Sequence, residues 1–279
     1  MREIHNLSQL LDALSRGYTV SGGNVQSPRA RAAREPKEVE RHFCVTIAGH
    51  TIGIDTLYAE TYSLCQPYFC DLTPEFCIKV CKQDLAYERE ETKNAGAHWN
   101  NGYLETLAVY RKISEAMLDY DTFLMHGAVV AVGNNAYMFT AESGTGKTTH
   151  IRKWLDNIPE AIVVNGDKPL IRVTDSEAIA CGTPWSGKEK LNTNTMVPLK
   201  TITLMERGED NQIEEITFGE AFAFLLRQTY RPDEAIKMQK TLNLLLRLSG
   251  KVRFFRFAFN NMKDDAFNVA YNSLTGGKP

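Results

Sequence analysis

The stretch Tyr137-Met138-Phe139-Thr140-Ala141-Glu142-Ser143-Gly144-Thr145-Gly146-Lys147-Thr148-Thr149 decides how this chain is read. Its opening residues predict a strand, and residues 147–156 predict a helix. Between them lies a variant of the pattern G-x₄-G-K-[ST], with Ala141 in place of the first glycine. Gly144 and Gly146 permit the torsions that turn successive amide N–H groups inward. Those dipoles, with the helix N-terminus behind them, form a cradle for phosphate oxygens. Glu142, Ser143, Gly144, Thr145, Gly146, Lys147, Thr148 and Thr149 are therefore expected to hold a nucleoside triphosphate. Lys147 would neutralise its terminal phosphates, and the Thr148 hydroxyl would take Mg²⁺.

Such a loop needs a carboxylate at the end of a neighbouring strand, to hold the metal or orient the nucleophile. The apolar run at 161–164 ends in Asn165-Gly166-Asp167, twenty residues beyond Lys147, and Asp167 is the candidate. An aspartate just before Pro169 is also what an ordinary turn carries. His126 closes an apolar run and is either a core histidine or a catalytic one. The polar segment 182–190 follows a buried strand, so Lys188 and Glu189 are candidates to meet substrate. Arg227 and Arg231 flank Gln228-Thr229-Tyr230 and could direct a guanidinium at phosphate. Arginines at a helix end also serve simply to complement its dipole. The N-K-x-D motif that specifies guanine is absent, which removes the switch-GTPase reading.

Around this centre the chain is ordinary. It has 279 residues, 43% hydrophobic and 24% charged, with a formal net charge of −2. That balance gives no global attraction for nucleic acid or an anionic membrane, so any anion site must be local. No apolar run approaches bilayer length, and a cytoplasmic protein is expected. Five of the six cysteines (Cys44, Cys65, Cys70, Cys77, Cys81) fall in the first third, without the paired C-x₂-C spacing of a zinc knuckle. They read as buried reduced thiols, as does Cys181.

Residues 1–36 read as a tail or linker, with two possible helical turns at 7–14. Residues 37–119 read as a smaller, β-rich α+β region. It has a hairpin at 43–47 and 51–54, a strand at 76–80, and helices at 84–92 and 104–118. Residues 120–279 read as the phosphate-loop domain. Its expected strands are 123–132, 137–140, 161–165, 170–173, 178–181, 201–205 continuing into 213–216, and 252–257. Its remaining helices are expected at 219–229, 233–248 and 264–271.

The run Glu142-Ser143-Gly144-Thr145-Gly146-Lys147-Thr148 resembles the phosphate loop of the HPr kinase/phosphorylase family and that of phosphoenolpyruvate carboxykinases. His126-Gly127 lies one hairpin upstream, as a His-Gly pair does in HPr kinases. Gly166-Asp167 lies where those kinases carry two adjacent aspartates. Gly182 to Glu189 and Arg227 to Pro232 look like segments that recur in bacterial HPr kinase-like proteins. The resemblance implies an α/β fold of the carboxykinase type, a mixed β-sheet flanked by helices. It implies ATP- and Mg²⁺-dependent phosphoryl transfer to a hydroxyl, of a protein serine or a small metabolite, and an oligomeric assembly. Asp167, with Gly166 beside it, would combine metal binding and base duties, with His126 and Lys147 as the other catalytic groups. A nucleotide-binding sensor without turnover and a carboxykinase-like enzyme are the alternatives.

Overall fold

The computed structural model describes residues 35–94, 99–260 and 262–277, together with two short strands, β1 (Thr19–Ser21) and β2 (Asn24–Gln26), which pair antiparallel. The helical turns expected at 7–14 lie outside the described residues. Strands β3 (Arg41–Ile47) and β4 (His50–Thr56) form the expected hairpin. Ala48 and Gly49 turn the chain with φ of 51° and 79°, the left-handed pair that matches strand twist in a tight hairpin.

Helix α1 (Ala59–Cys65) follows, and then β5 (Phe76–Lys79) joins β4 in parallel. Helices α2 (Lys82–Asn94) and α3 (Asn101–Ala116) complete this part of the chain. The expectation of a β-rich region is corrected. Helix α1 has only seven residues, too few for a helical period to stand out, and three helices accompany the three-stranded sheet. Glu105 on α3 explains how so short a helix is held. Its buried carboxylate accepts from the Leu57 amide (2.5 Å), the Tyr58 amide (3.2 Å) and the Thr61 hydroxyl (3.3 Å), capping α1 from outside.

The larger sheet is mixed and curled. It contains β6 (Thr122–Leu124), β7 (Ala128–Val132), β8 (Asn135–Thr140), β9 (Ile162–Asn165), β10 (Leu170–Val173), β11 (Ala178–Cys181), β12 (Met196–Arg207), β13 (Gln212–Ile216) and β14 (Arg253–Phe259). Its main path runs β6-β10-β11-β12-β8-β7-β9, with β14 beside β12 and β13 outside β14. Strands β8, β12 and β14 are parallel; the other pairings are antiparallel.

Alternate residues feed two cores, as expected of a sheet covered on both faces. Tyr137 and Phe139 pack with α4 (Lys147–Asn157) and, near the C-terminus, α7 (Ala266–Thr275). Ala136 and Met138 pack on the other side with α5 (Phe218–Gln228) and α6 (Ala235–Arg247). The N-terminal core is continuous with this sheet, since Leu170, Cys181 and Trp185 belong to the same cluster as Val45, Ile54 and Tyr110.

Two strand expectations are corrected. The run 123–132 is not one strand: it breaks at Met125-His126-Gly127, so that β6 pairs with β10 while β7 pairs with β8 and β9. The continuation of β12 into 213–216 is a chain reversal, and β13 runs antiparallel to β14. Among the described residues no helix is long and apolar enough to cross a membrane.

Candidate active site

Topology brings three segments to one end of the sheet. Strand β7 runs antiparallel to both β8 and β9, with Ala128 opposite Phe139 and Val129 opposite Asn165. The residues before β7 (His126-Gly127), after β8 (the phosphate loop) and after β9 (Gly166-Asp167) must therefore meet at its N-terminal end. Cross-links fasten them. The Thr140 hydroxyl donates to the His126 carbonyl (2.8 Å), and the Gly127 amide donates to the Asp167 carbonyl (2.9 Å).

The phosphate loop has the torsions its glycines were expected to supply, with φ of 82° at Gly144 and 120° at Gly146. A side chain at Gly144 would meet open space, whereas at Gly146 it would strike the Phe259 ring at 2.7 Å. Gly146 is thus required twice, by torsion and by packing. Helix α4 begins at Lys147, and its first backbone bond runs from the His150 amide to the Gly146 carbonyl (2.9 Å). The amides before His150 have no intrahelical acceptor, which suits an anion at this end.

His150 fixes the helix against the sheet. It is fully buried among Phe139, Phe257 and Phe259, and its Nε2 accepts from Trp154 Nε1 at 3.0 Å. Burial, helped by the charge of Lys153, pushes its pKa down to about 3, so it is a neutral core histidine.

Lys147 is buried, and its ammonium donates to the Ala141 carbonyl across the loop (2.9 Å). Burial lowers its pKa, while the Asp167 charge works in the opposite direction. Asp167 lies 3.2 Å from His126, Oδ1 to Nε2. Burial pushes its carboxyl pKa up, but the hydrogen bond and charge of His126, with the charges of Lys168 and Lys147, outweigh that and hold it low. Asp167 is therefore an ionised group, able to accept a proton or hold a cation. The imidazole is held from its other side by Gln228, with Nδ1 2.8 Å from Oε1. The His126 amide also donates to the Gln228 carbonyl (2.7 Å).

Two of these residues escaped the sequence reading. Gln228 was seen only as a neighbour of Arg227 and Arg231. Asn165 was seen only as the end of a strand. Fully buried, Asn165 accepts through Oδ1 from the amides of Asp167 (2.9 Å) and Lys168 (2.7 Å). Its Nδ2 donates to the Thr183 carbonyl (3.0 Å), the Thr183 hydroxyl (2.9 Å) and the Trp185 carbonyl (3.3 Å). One amide therefore shapes the Asp167 turn and ties it to the segment that follows β11. An Asn-x-Asp turn after an apolar strand was the available signal.

That segment also accounts for Gly166. A side chain there would meet the carbonyl oxygens of Ser186 and Leu191, each at 3.3 Å. The chain from 186 to 191 thus packs close against this position and would have to give slightly to admit a side chain. Gly187, with φ of 75°, lies against Asp167: a side chain there would come within 3.1 Å of its Cβ.

The remaining candidates divide. Thr148, the second residue of α4, is half-buried and Thr149 after it is exposed; Glu142, Ser143 and Gly144 are exposed on the loop. Lys188 is exposed one residue beyond Gly187, and Glu189 pairs with Arg152 of α4. Arg227 lies over the Phe224 ring, and Arg231 is exposed beyond the helix. Sequence reasoning did not single out Arg207, which donates from the end of β12 to the Gly144 carbonyl (3.1 Å). Among the described residues no group of three or more His, Cys, Asp or Glu side chains could hold a metal by itself. A Mg²⁺ site here would draw on Thr148, Asp167 and the phosphates of a bound nucleotide, as hydrated Mg²⁺ commonly does.

No family model matches the chain, and no curated protein matches it either. Among solved structures, the Hpr(Ser) kinase/phosphatase from Coxiella burnetii is similar at 10% identity. The match covers 55% of this chain and 97% of that one, with a TM-score of 0.34. This is a weak structural resemblance.

Proposed function

We propose that the chain is a phosphotransferase that moves the terminal phosphoryl group of a nucleoside triphosphate, ATP in the first instance, to a hydroxyl. The observation that carries this reading is the pairing of Asp167 with His126 at 3.2 Å, at the same end of the sheet as the phosphate loop. The amides of residues 143–148 and Lys147 would hold the phosphates and stabilise charge on the transferring group. Bound Mg²⁺ would neutralise the phosphate oxygens from Thr148 and Asp167. Asp167 would take the acceptor proton as the acceptor oxygen bonds to phosphorus and the bond to the nucleoside diphosphate breaks. His126, steadied by Gln228, would orient that carboxylate. The acceptor is a protein serine or a small hydroxylated metabolite.

The experiment is incubation of the protein with γ-labelled ATP, Mg²⁺ and a cell lysate, then separation into protein and metabolite fractions. Label entering one fraction, and lost with Asp167→Asn, supports transfer and identifies the acceptor class. Nucleotide bound with no label leaving it, under any acceptor supplied, supports a sensor without turnover instead.

A further inference from the structure

A second chemical site lies in the N-terminal sheet. Of the six cysteines, Cys65 and Cys181 are buried as expected, with thiol pKa values pushed up to about 12 by burial. The other four depart from the expectation. Cys44 and Cys70 are partly exposed, Cys77 and Cys81 are exposed, and all are free thiols. The two-residue alternation of β3 puts Cys44 on the face opposite buried Phe43 and Val45.

Cys44 and Cys70 are held face to face. Val45 and Phe69 form an antiparallel bridge, and the Cys70 amide donates to the Cys44 carbonyl at 3.0 Å. Opposed residues in an antiparallel pair have Cα atoms about 4.5–5.5 Å apart, inside the range a disulfide spans. The two sulfur atoms are 3.3 Å apart. Their environments differ. Burial works against ionisation of Cys70, but the Thr46 hydroxyl, the Leu72 amide and the Cys44 thiol outweigh it and lower its pKa. Burial, then the hydrogen bond and charge of Cys70, raise Cys44 to about 11. A third thiol is close by. Cys44, Gly53 and Cys77 are in register across the three strands, and Cys77 Sγ is 2.8 Å from where a Gly53 Cβ would sit.

We propose that Cys44 and Cys70 form a redox-modification site, a dithiol that a peroxide converts to a disulfide, with Cys70 as the attacking group. The Cys70 thiolate attacks one peroxide oxygen, the O–O bond breaks, and the leaving hydroxide takes up the proton that the Cys70 thiol had lost and departs as water, giving a sulfenic acid at Cys70. The Cys44 sulfur then attacks the Cys70 sulfur and displaces the hydroxyl, which leaves as water with the Cys44 proton. In sum, two thiols and one hydrogen peroxide give one disulfide and two waters. Cys77 is left reduced, because the shorter route lies across the opposed pair. The proposal is independent of the phosphotransfer reading.

The test uses the full chain, reduced, desalted and treated with one equivalent of hydrogen peroxide, then alkylated. Cleavage after Glu60 and Glu75 places Cys44, the Cys65–Cys70 segment and Cys77 on separate peptides. Fragmentation then distinguishes Cys65 from Cys70. A dithiothreitol-reversible link between Cys44 and Cys70 is expected in the wild type and in Cys77→Ser. Cys70→Ser should leave Cys44 fully alkylated. Recovery of wild-type Cys44 and Cys70 as alkylated thiols, their appearance as separate sulfinic acids, or a link that joins Cys77 would overturn the proposal. The wild-type mapping decides the matter even where a variant folds poorly.

Discussion

The phosphate loop and the Asp167 cluster lie at the same end of one sheet but are built in opposite ways. The loop is a continuous run between β8 and α4, and its shape follows from two glycines and a helix start. The cluster is assembled from four separate segments: His126, the Asn165–Lys168 turn, the chain from Thr183 to Leu191, and Gln228. A continuous motif can be copied onto many scaffolds; an assembled one works only if the surrounding fold is correct. On the proposed function, the loop would bind the phosphates and the cluster would act on them.

That contrast can be broken most severely by treating the cluster as a unit. Asp167→Asn and His126→Ala should each lower phosphoryl transfer by about 10²–10³-fold, within the range for a positioned acid–base group. Combined, they should cost little more than Asp167→Asn alone, since His126 acts through the carboxylate. Transfer rates for the two single variants and the double variant check this, and simple multiplication of the two effects would mean they act separately.

Lys147→Met should cost about 10²-fold in transfer, as the loss of one charge-stabilising donor does, and should also weaken nucleotide binding. Nucleotide titration separates it from the cluster variants, which should keep their affinity. Asn165→Ala comes next. It strips the acceptor from the Asp167 and Lys168 amides and should destabilise the fold by about 2 kcal/mol, read from denaturant midpoints. A variant that unfolds at the wild-type midpoint would show that the turn holds itself.

Gln228→Ala should lower transfer by about tenfold, the worth of one orienting hydrogen bond, with nucleotide affinity unchanged. A separate effect, on stability rather than transfer, is expected at a carboxylate outside the site. Burial raises the Glu105 pKa from 4.5 to about 7, with the amides of Leu57 and Tyr58 and the Thr61 hydroxyl working against that rise. A carboxyl with a raised folded pKa favours the folded state while both states are protonated, and loses that advantage as pH rises from 4.5 to about 7. The Glu105 contribution to unfolding free energy should therefore fall across that window and level off above it. Denaturation of the wild type and Glu105→Ala at a series of pH values isolates the difference.

The same contrast explains what the sequence revealed. The phosphate loop was legible because strand, glycines and helix start are adjacent in the chain. Asp167 was legible from the apolar strand before it. Gln228 was not, because it lies 102 residues from His126 and only the folded chain, through the bridge between Met125 and Thr229 and the backbone bonds beside it, brings them together. The break between β6 and β7 was hidden for a related reason. Met125 is fully buried, so hydrophobicity continues straight through the residue where the hydrogen-bonding partner changes. Helix α1 escaped because seven residues are too few to show a helical period, and the Glu105 carboxylate that meets its start comes from another element. The partly exposed cysteines escaped because β3 carries Cys44 on its outward face, and composition does not report facing.

The central claim is that the loop binds and the cluster transfers. The direct measurement follows nucleotide binding and release of γ-labelled phosphoryl side by side in wild type and Asp167→Asn, with Mg²⁺ and the acceptor fraction present. The account predicts equal binding and a transfer rate reduced by about 10²–10³-fold in the variant. Transfer unchanged in Asp167→Asn, with binding intact, would contradict it.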